Sequence, residues 1–175
     1  DVQACYERGF LRPLQTWSQQ VRSHEVLVSP EPDAISEHVD HFAARLPALT
    51  FQPSDPEPEA RASIDAWAAA SGHSNIRPAL ALDAQSPVWP VRSADAVLCI
   101  NMIHIAPWPA ATGLMQGAAR ILAPGAPLVL YGPFREGGRH TAPSNAAFDE
   151  DLRRRDPAWG VRDLEAVSAL ATAAG

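Results

Sequence analysis

DAVLCINMIHIAPW, residues 95–108, and PLVLYGPFREGGRHTAPSN, residues 127–145, share one form: a short apolar run that spills into a loop rich in polar and reactive side chains. Unbroken apolar runs of strand length suit a parallel sheet covered on both faces. In such open α/β sheets, ligands bind in the crevice beyond the carboxyl ends of the strands. The two loops therefore mark where a functional site is expected.

Working outward, further strands are expected at Glu25–Ser29 (EVLVS), Leu49–Gln52 (LTFQ) and Arg77–Leu82 (RPALAL), beside Asp95–Ile100 and Leu128–Tyr131. Helical segments are expected at about 33–46, 57–70, 108–122, 144–155 and 163–174. Ser144 reads as an N-cap after Pro143, and Gly125 with Pro124 as a stop after Leu122. On the helix at 57–70, Ile64 and Trp67 fall on one face, and Gly72 follows its end. Strands alternating with helices, joined by right-handed crossovers, predict a doubly wound, mostly parallel α/β sheet. No linker divides the chain, so residues 1–175 are expected to form a single domain, with residues 1–24 a helical lead-in.

Composition narrows the chemistry. The 175-residue chain carries a net charge of −6, and all 14 of its cationic residues are arginine, which excludes lysine Schiff bases and phosphate-loop lysines. The one cationic cluster, Arg153–Arg155, lies among Asp149, Glu150, Asp151 and Asp156, and no broad basic surface for nucleic acid is expected. No apolar run reaches membrane-spanning length. Cys5 and Cys99 make no disulfide framework, and Cys99 reads as a small core residue, consistent with a reducing, cytoplasmic setting. The chain starts at Asp1 without a signal-peptide pattern, which fits a fragment or a processed protein. His38 and His41, with Glu37 beside them, have helical spacing but no third ligand, so no metal is expected.

Acidic residues stand at two strand ends. Asp55 follows the second strand, and Asp83 follows the third. In a nucleotide-binding sheet, the first suits ribose hydroxyls and the second an adenine amino group. Either also suits a turn, and Asp55, before Pro56, suits an N-cap.

The stretches QPSDPEPEARASIDAW, ALDAQSPVWP, DAVLCINMIHIAPW, GLMQGAARILAPGAPLVLYGPF and GGRHTAPSNAAFDEDLRRRDPAWGVRDLE closely resemble the DUF938 family of S-adenosylmethionine-dependent methyltransferase-like proteins. The resemblance runs over roughly residues 38–175. It implies a Rossmann-like class I methyltransferase fold, with S-adenosylmethionine as cofactor over the first four strands. By this resemblance, Asp55, Asp83 and Asn101 are candidate cofactor-binding residues. His104 is the candidate general base, because an imidazole can take a proton near neutral pH; flanked by Ile103 and Ile105, it also suits a hydrogen-bonded structural residue. Met102, Tyr131, Arg139, His140, Ser144 and Asn145 are candidates for binding a small-molecule acceptor. Arg139 and His140 suit a carboxylate or phosphate, and Gly137–Gly138 suit a loop that flexes or folds closely over a ligand; the same stretch also suits an ordinary loop followed by an N-capped helix.

Two features depart from the family pattern. Ala34 and Ser36, in VSPEPDAISEH, stand where members carry glycines after the first strand, and neither adopts positive φ cheaply. The family domain also continues past the last helix with two further strands, whereas this sequence stops at Gly175, so the sheet would be truncated, with an unclosed edge able to support a homo-oligomer. Two functions follow: a methyltransferase acting on a small molecule, or a methyltransferase-like binding or assembly module that has lost its cofactor.

Overall fold

A computed structural model describes residues 24–29 and 35–175. The expected helical lead-in, Cys5 and Ala34 lie outside the described residues. Five parallel strands make the main sheet: β1 (His24–Ser29), β2 (Leu49–Asp55), β3 (Leu80–Ala81), β4 (Ala96–Ile100) and β5 (Leu128–Tyr131), in the order β3-β2-β1-β4-β5. The chain builds outward from β1 to β3, then crosses back to lay β4 and β5 on the other side. That reversal between β1 and β4 opens a crevice at the carboxyl edge.

The apolar run at 96–100 becomes a strand because both of its faces are covered. Side chains alternate across a strand. Ala96, Leu98 and Ile100 thus join Val26 and Phe51 against α1 (Ile35–Arg45), which contributes Val39, Phe42, Ala43 and Leu46. Val97 and Cys99 join Leu27 on the opposite face. There α3 (Trp108–Ile121) contributes Ala111, Leu114, Met115 and Ala118, and α5 (Leu164–Ala174) contributes Val167. Ser36 lies in the first turn of α1, where helical backbone makes no demand for positive φ.

β3 is shorter than the expected Arg77–Leu82. Pro78 carries no N–H and interrupts the ladder, leaving a bridge at Phe51–Ile76 and paired residues only from Leu80. β2, in contrast, runs three residues beyond Gln52. Phe51 bonds on the β3 side, accepting from Arg77 N and donating to Asn75 O. Pro53, two residues on, therefore turns its missing N–H toward the same side, where β3 is already broken. The Gln52 side chain bridges the gap by donating to Pro53 O (3.1 Å) and Pro78 O (2.7 Å).

α2 (Pro58–Ser71) has proline in its first turn and ends at Gly72, whose φ of 71° needs no strain relief in glycine. Ile64 and Trp67 share a face and line one depression, Ile64 buried and Trp67 52% exposed. A step of three residues rotates Trp67 to the margin of the stripe, over a shallow depression with Val39 and Ile76.

The loop expected after β5 contains a hairpin. β6 (Phe134–Glu136) and β7 (Arg139–His140) form an antiparallel hairpin, and β8 (Arg162–Asp163) pairs in parallel with β6. Gly137 and Gly138, at φ 56° and 73°, make its two-residue turn. Gly137 N donates to Glu165 Oε1 at 2.9 Å, pinning the tip to α5. α4 (Pro143–Arg155) begins one residue before Ser144, so Ser144 lies inside the first turn and Ala142 takes the N-cap position. Among the described residues, no helix is long and apolar enough to cross a membrane, and no three His, Cys, Asp or Glu side chains cluster to hold a metal.

Candidate active site at the carboxyl edge

Asp55 closes β2 and is only 5% exposed. Its Oδ1 accepts from Glu57 N at 2.8 Å, while Arg61 Nη1 donates to its backbone oxygen at 2.9 Å. Burial raises the carboxyl pKa above its ordinary value, against the downward pull of the Glu57 N–H. Asp83, two residues beyond β3, is exposed and shapes a turn. Its Oδ1 accepts from Gln85 N (2.8 Å) and its carbonyl from Ser86 N (2.9 Å). Because Asp55 pairs with Ala81 across the ladder, both carboxylates lie on one edge of adjacent strands.

Across the crevice, β4 ends in a tight turn. Asn101 adopts φ 56°, a left-handed conformation that asparagine tolerates better than most residues. Its N–H donates to Tyr131 O and its carbonyl accepts from His104 N, both at 2.8 Å. A short 3₁₀ turn, Met102–His104, follows. Asn101, Tyr131, Gly132, Pro133, Asn145 and Phe148 surround a hollow of about 360 Å³. Asn145 and Phe148 stand three apart on α4, so one helical face supplies both.

The structure thus brings Asn101, Tyr131 and Asn145 together and sets the other expected acceptor residues elsewhere. Met102 packs into the core beside α3. Arg139 is exposed at the hairpin tip, and Ser144 is exposed in the first turn of α4. His140 Nε2 lies 3.4 Å from Asp149 Oδ2.

His104, the expected general base, is a correction. It is completely buried, and neither ring nitrogen has a hydrogen-bond partner. Burial, then the charge of Arg162, pulls its pKa down to about 4, against smaller upward effects of the Gly160 backbone and Asp149. Its ring meets Phe134 edge to face, with centroids 5.1 Å apart. It lies directly behind Gly132, where a methyl group would come within 2.5 Å of Nε2 and 2.9 Å of Asn101 Oδ1. Glycine at 132 is needed for that close approach.

Residues 160–162, not singled out from sequence, hold the turn in place. Gly160 N donates to His104 O at 2.8 Å. Arg162 donates from Nε to Ile103 O (2.9 Å) and from Nη2 to Ala106 O (2.6 Å) and Ala158 O (2.9 Å). Its guanidinium also sits over the Trp108 ring, 5.5 Å from the centroid. Asp149, 7% exposed, accepts from Val161 N at 2.7 Å and from Arg153 Nε at 3.1 Å. No local periodicity marks these contacts, which cross up to 59 positions.

Two acceptor-only carboxylates at adjacent strand ends match the hydroxyl and amino donors of a nucleoside, so the residues present fit S-adenosylmethionine on the β2–β3 side. The fold matches solved structures of low sequence identity. A protein from Bacillus halodurans C-125 is 21% identical with a TM-score of 0.67, over 95% of this chain and 68% of that one. The S-adenosylmethionine-dependent methyltransferase SibL is 23% identical with a TM-score of 0.71, over 95% of this chain and 51% of that one. An O-methyltransferase family protein from Burkholderia thailandensis is 16% identical with a TM-score of 0.74, over 94% and 50%. The architecture is that of the Rossmann-like class I methyltransferases. Residues 33–175 match the family model described as "Protein of unknown function (DUF938)", and the chain belongs to that family.

Proposed function

We propose that this protein transfers a methyl group from S-adenosylmethionine to a small-molecule acceptor. The reading rests on one observation: acidic strand ends and a ligand-sized hollow lie along the same carboxyl edge, on opposite sides of the topological switch. The cofactor would supply an electrophilic methyl group on a positively charged sulfur. Asp55 would accept hydrogen bonds from the ribose hydroxyls and Asp83 from the adenine amino group. Asn101 would form the boundary between nucleoside and acceptor, because its left-handed turn ends β4 while its side chain lines the hollow.

The acceptor's lone pair would form the new bond to the methyl carbon as the carbon–sulfur bond breaks. The acceptor's proton would pass to solvent, since His104 is buried behind Gly132. Holding the two reactants in line carries the catalysis, through positioning more than proton transfer.

Calorimetry with S-adenosylhomocysteine and S-adenosylmethionine tests the reading. Binding is expected, and Asp55→Ala should weaken it roughly 10- to 100-fold, the worth of a charged hydrogen bond. No heat and no thermal shift at millimolar ligand would reject the enzyme and leave a binding module that has lost its cofactor.

A further inference from the structure

The turn that carries Asp55 out of β2 reads Asp55-Pro56-Glu57-Pro58. Its two prolines have no N–H to donate. Between them only Glu57 offers an amide, and Asp55 Oδ1 takes it at 2.8 Å, which sets the plane of the carboxylate. The Glu57 side chain makes no capping bond at the start of α2. A turn so poor in donors has few bonds of its own to hold its shape.

Arg61 supplies what the turn lacks. Reaching back from α2, its Nη1 donates to Asp55 O at 2.9 Å and to Pro56 O at 2.7 Å. Asp55 O also accepts from Leu82 N on the β3 side, at 3.4 Å. The carbonyl beside the buried carboxylate is thus pinned both from the helix and from the neighbouring strand. The guanidinium acts on the carboxylate through its charge as well. Burial raises the Asp55 pKa most, the Glu57 N–H lowers it, the Glu57 carboxylate raises it again, and Arg61 lowers it. Among the described residues, Asp83 adds a further carboxylate just beyond the adjacent strand.

We propose that Arg61 is a positioning residue for the nucleoside: by holding the carbonyls of Asp55 and Pro56 and setting its charge beside the turn, it presents the Asp55 carboxylate to the ribose hydroxyls. This rests on the methyltransferase reading. Arg61 acts through Asp55 and not on the ligand.

Two measurements on the full chain test it, with Arg61→Met and Arg61→Lys beside wild type. The first follows the Asp55 carboxyl carbon by NMR as pH falls, without cofactor, and Asp55→Asn identifies the resonance. Losing the cation should move the Asp55 titration to higher pH in Arg61→Met, and Arg61→Lys should return it toward wild type. The second is calorimetry with S-adenosylhomocysteine over the same pH range. Near neutral pH, Arg61→Met should bind roughly 2- to 10-fold more weakly, the worth of an ordinary hydrogen bond. Its affinity should also begin to fall at a higher pH than that of wild type, because the hydroxyls are best held by the ionised carboxylate. In an Asp55→Ala background the same substitution should cost much less, since both residues act through one carboxylate. Arg61→Gln repeats both measurements, so that neither depends on one variant folding.

Wild-type affinity with an unmoved acid limb in Arg61→Met and Arg61→Gln would overturn the proposal. So would a loss that simply adds to that of Asp55→Ala, which would make Arg61 a structural residue alone. An Asp55 titration indifferent to Arg61 would sink the proposal and leave the methyltransferase reading standing. Wild-type protein silent toward S-adenosylhomocysteine would reject that reading, and the proposal with it.

Discussion

Replacing Asp149 with alanine should cost about 1.5–3.5 kcal/mol of folding free energy, most of it from one buried amide left without an acceptor. Val161 N, completely buried within its residue, donates to Asp149 Oδ1 at 2.7 Å, and orphaning such a group costs roughly 1–3 kcal/mol. Loss of the Arg153 pair, spaced four residues along α4 and partly exposed, adds roughly 0.5 kcal/mol. Asp149→Asn keeps an oxygen for Val161 and removes only charge, so it should cost less, on the order of 1 kcal/mol. Acid separates the two effects. Burial alone would raise the Asp149 pKa, but the Val161 N–H, Arg153 and His140 together hold it below its ordinary value of 3.8. The stabilisation from charge is therefore complete above that value and is lost as pH falls through the lower folded pKa. Urea unfolding followed by tryptophan fluorescence, at neutral pH and in acid, gives all three stabilities. The gap between wild type and Asp149→Asn should narrow in acid. An Asp149→Ala variant within about 0.5 kcal/mol of wild type, or an asparagine gap indifferent to pH, would refute the reasoning.

Gly117→Ala should destabilise the protein by about 1–3 kcal/mol, the usual cost of overpacking. A methyl group there collides with the ring of Trp89, itself 6% exposed, and the expected readouts are a lower melting temperature and altered tryptophan fluorescence. In a Cys5→Ser background, Cys99 should resist thiol reagents in the native state and react fully in denaturant. It is 1% exposed, and burial pushes its thiol pKa up to about 12, so labelling of native protein within minutes would contradict its placement.

The central strands were readable because DAVLCI carries its own evidence: an apolar run with both faces covered looks the same in sequence and in space. Asp55 and Asp83 were readable as strand-end acids for a similar reason, since position along one element sets their place. Sequence reading fell short where the answer depends on a partner far along the chain. Gly137–Gly138 looked like a hinge, yet two positive-φ glycines between short extended runs also spell a tight hairpin turn. Phe148 could have been found from Asn145 by helical spacing. The commitments of Arg135, Arg153 and Arg162 could not, because an arginine's charge says nothing about which carboxylate or carbonyl will take it. His104 looked available by residue type, and only packing against Phe134 and Gly132 removes it from solvent.

The grip of Arg162 on Ile103 and Ala106 also bears on the order in which the molecule can be made. Strands β1, β2 and β4 can pair once residue 100 has emerged, because their contacts close within the first part of the chain. The turn beside the hollow beyond β4 must wait for residues about 60 positions further on. A nascent chain would therefore hold the β1–β2 side of its crevice before the side shaped by the turn after β4.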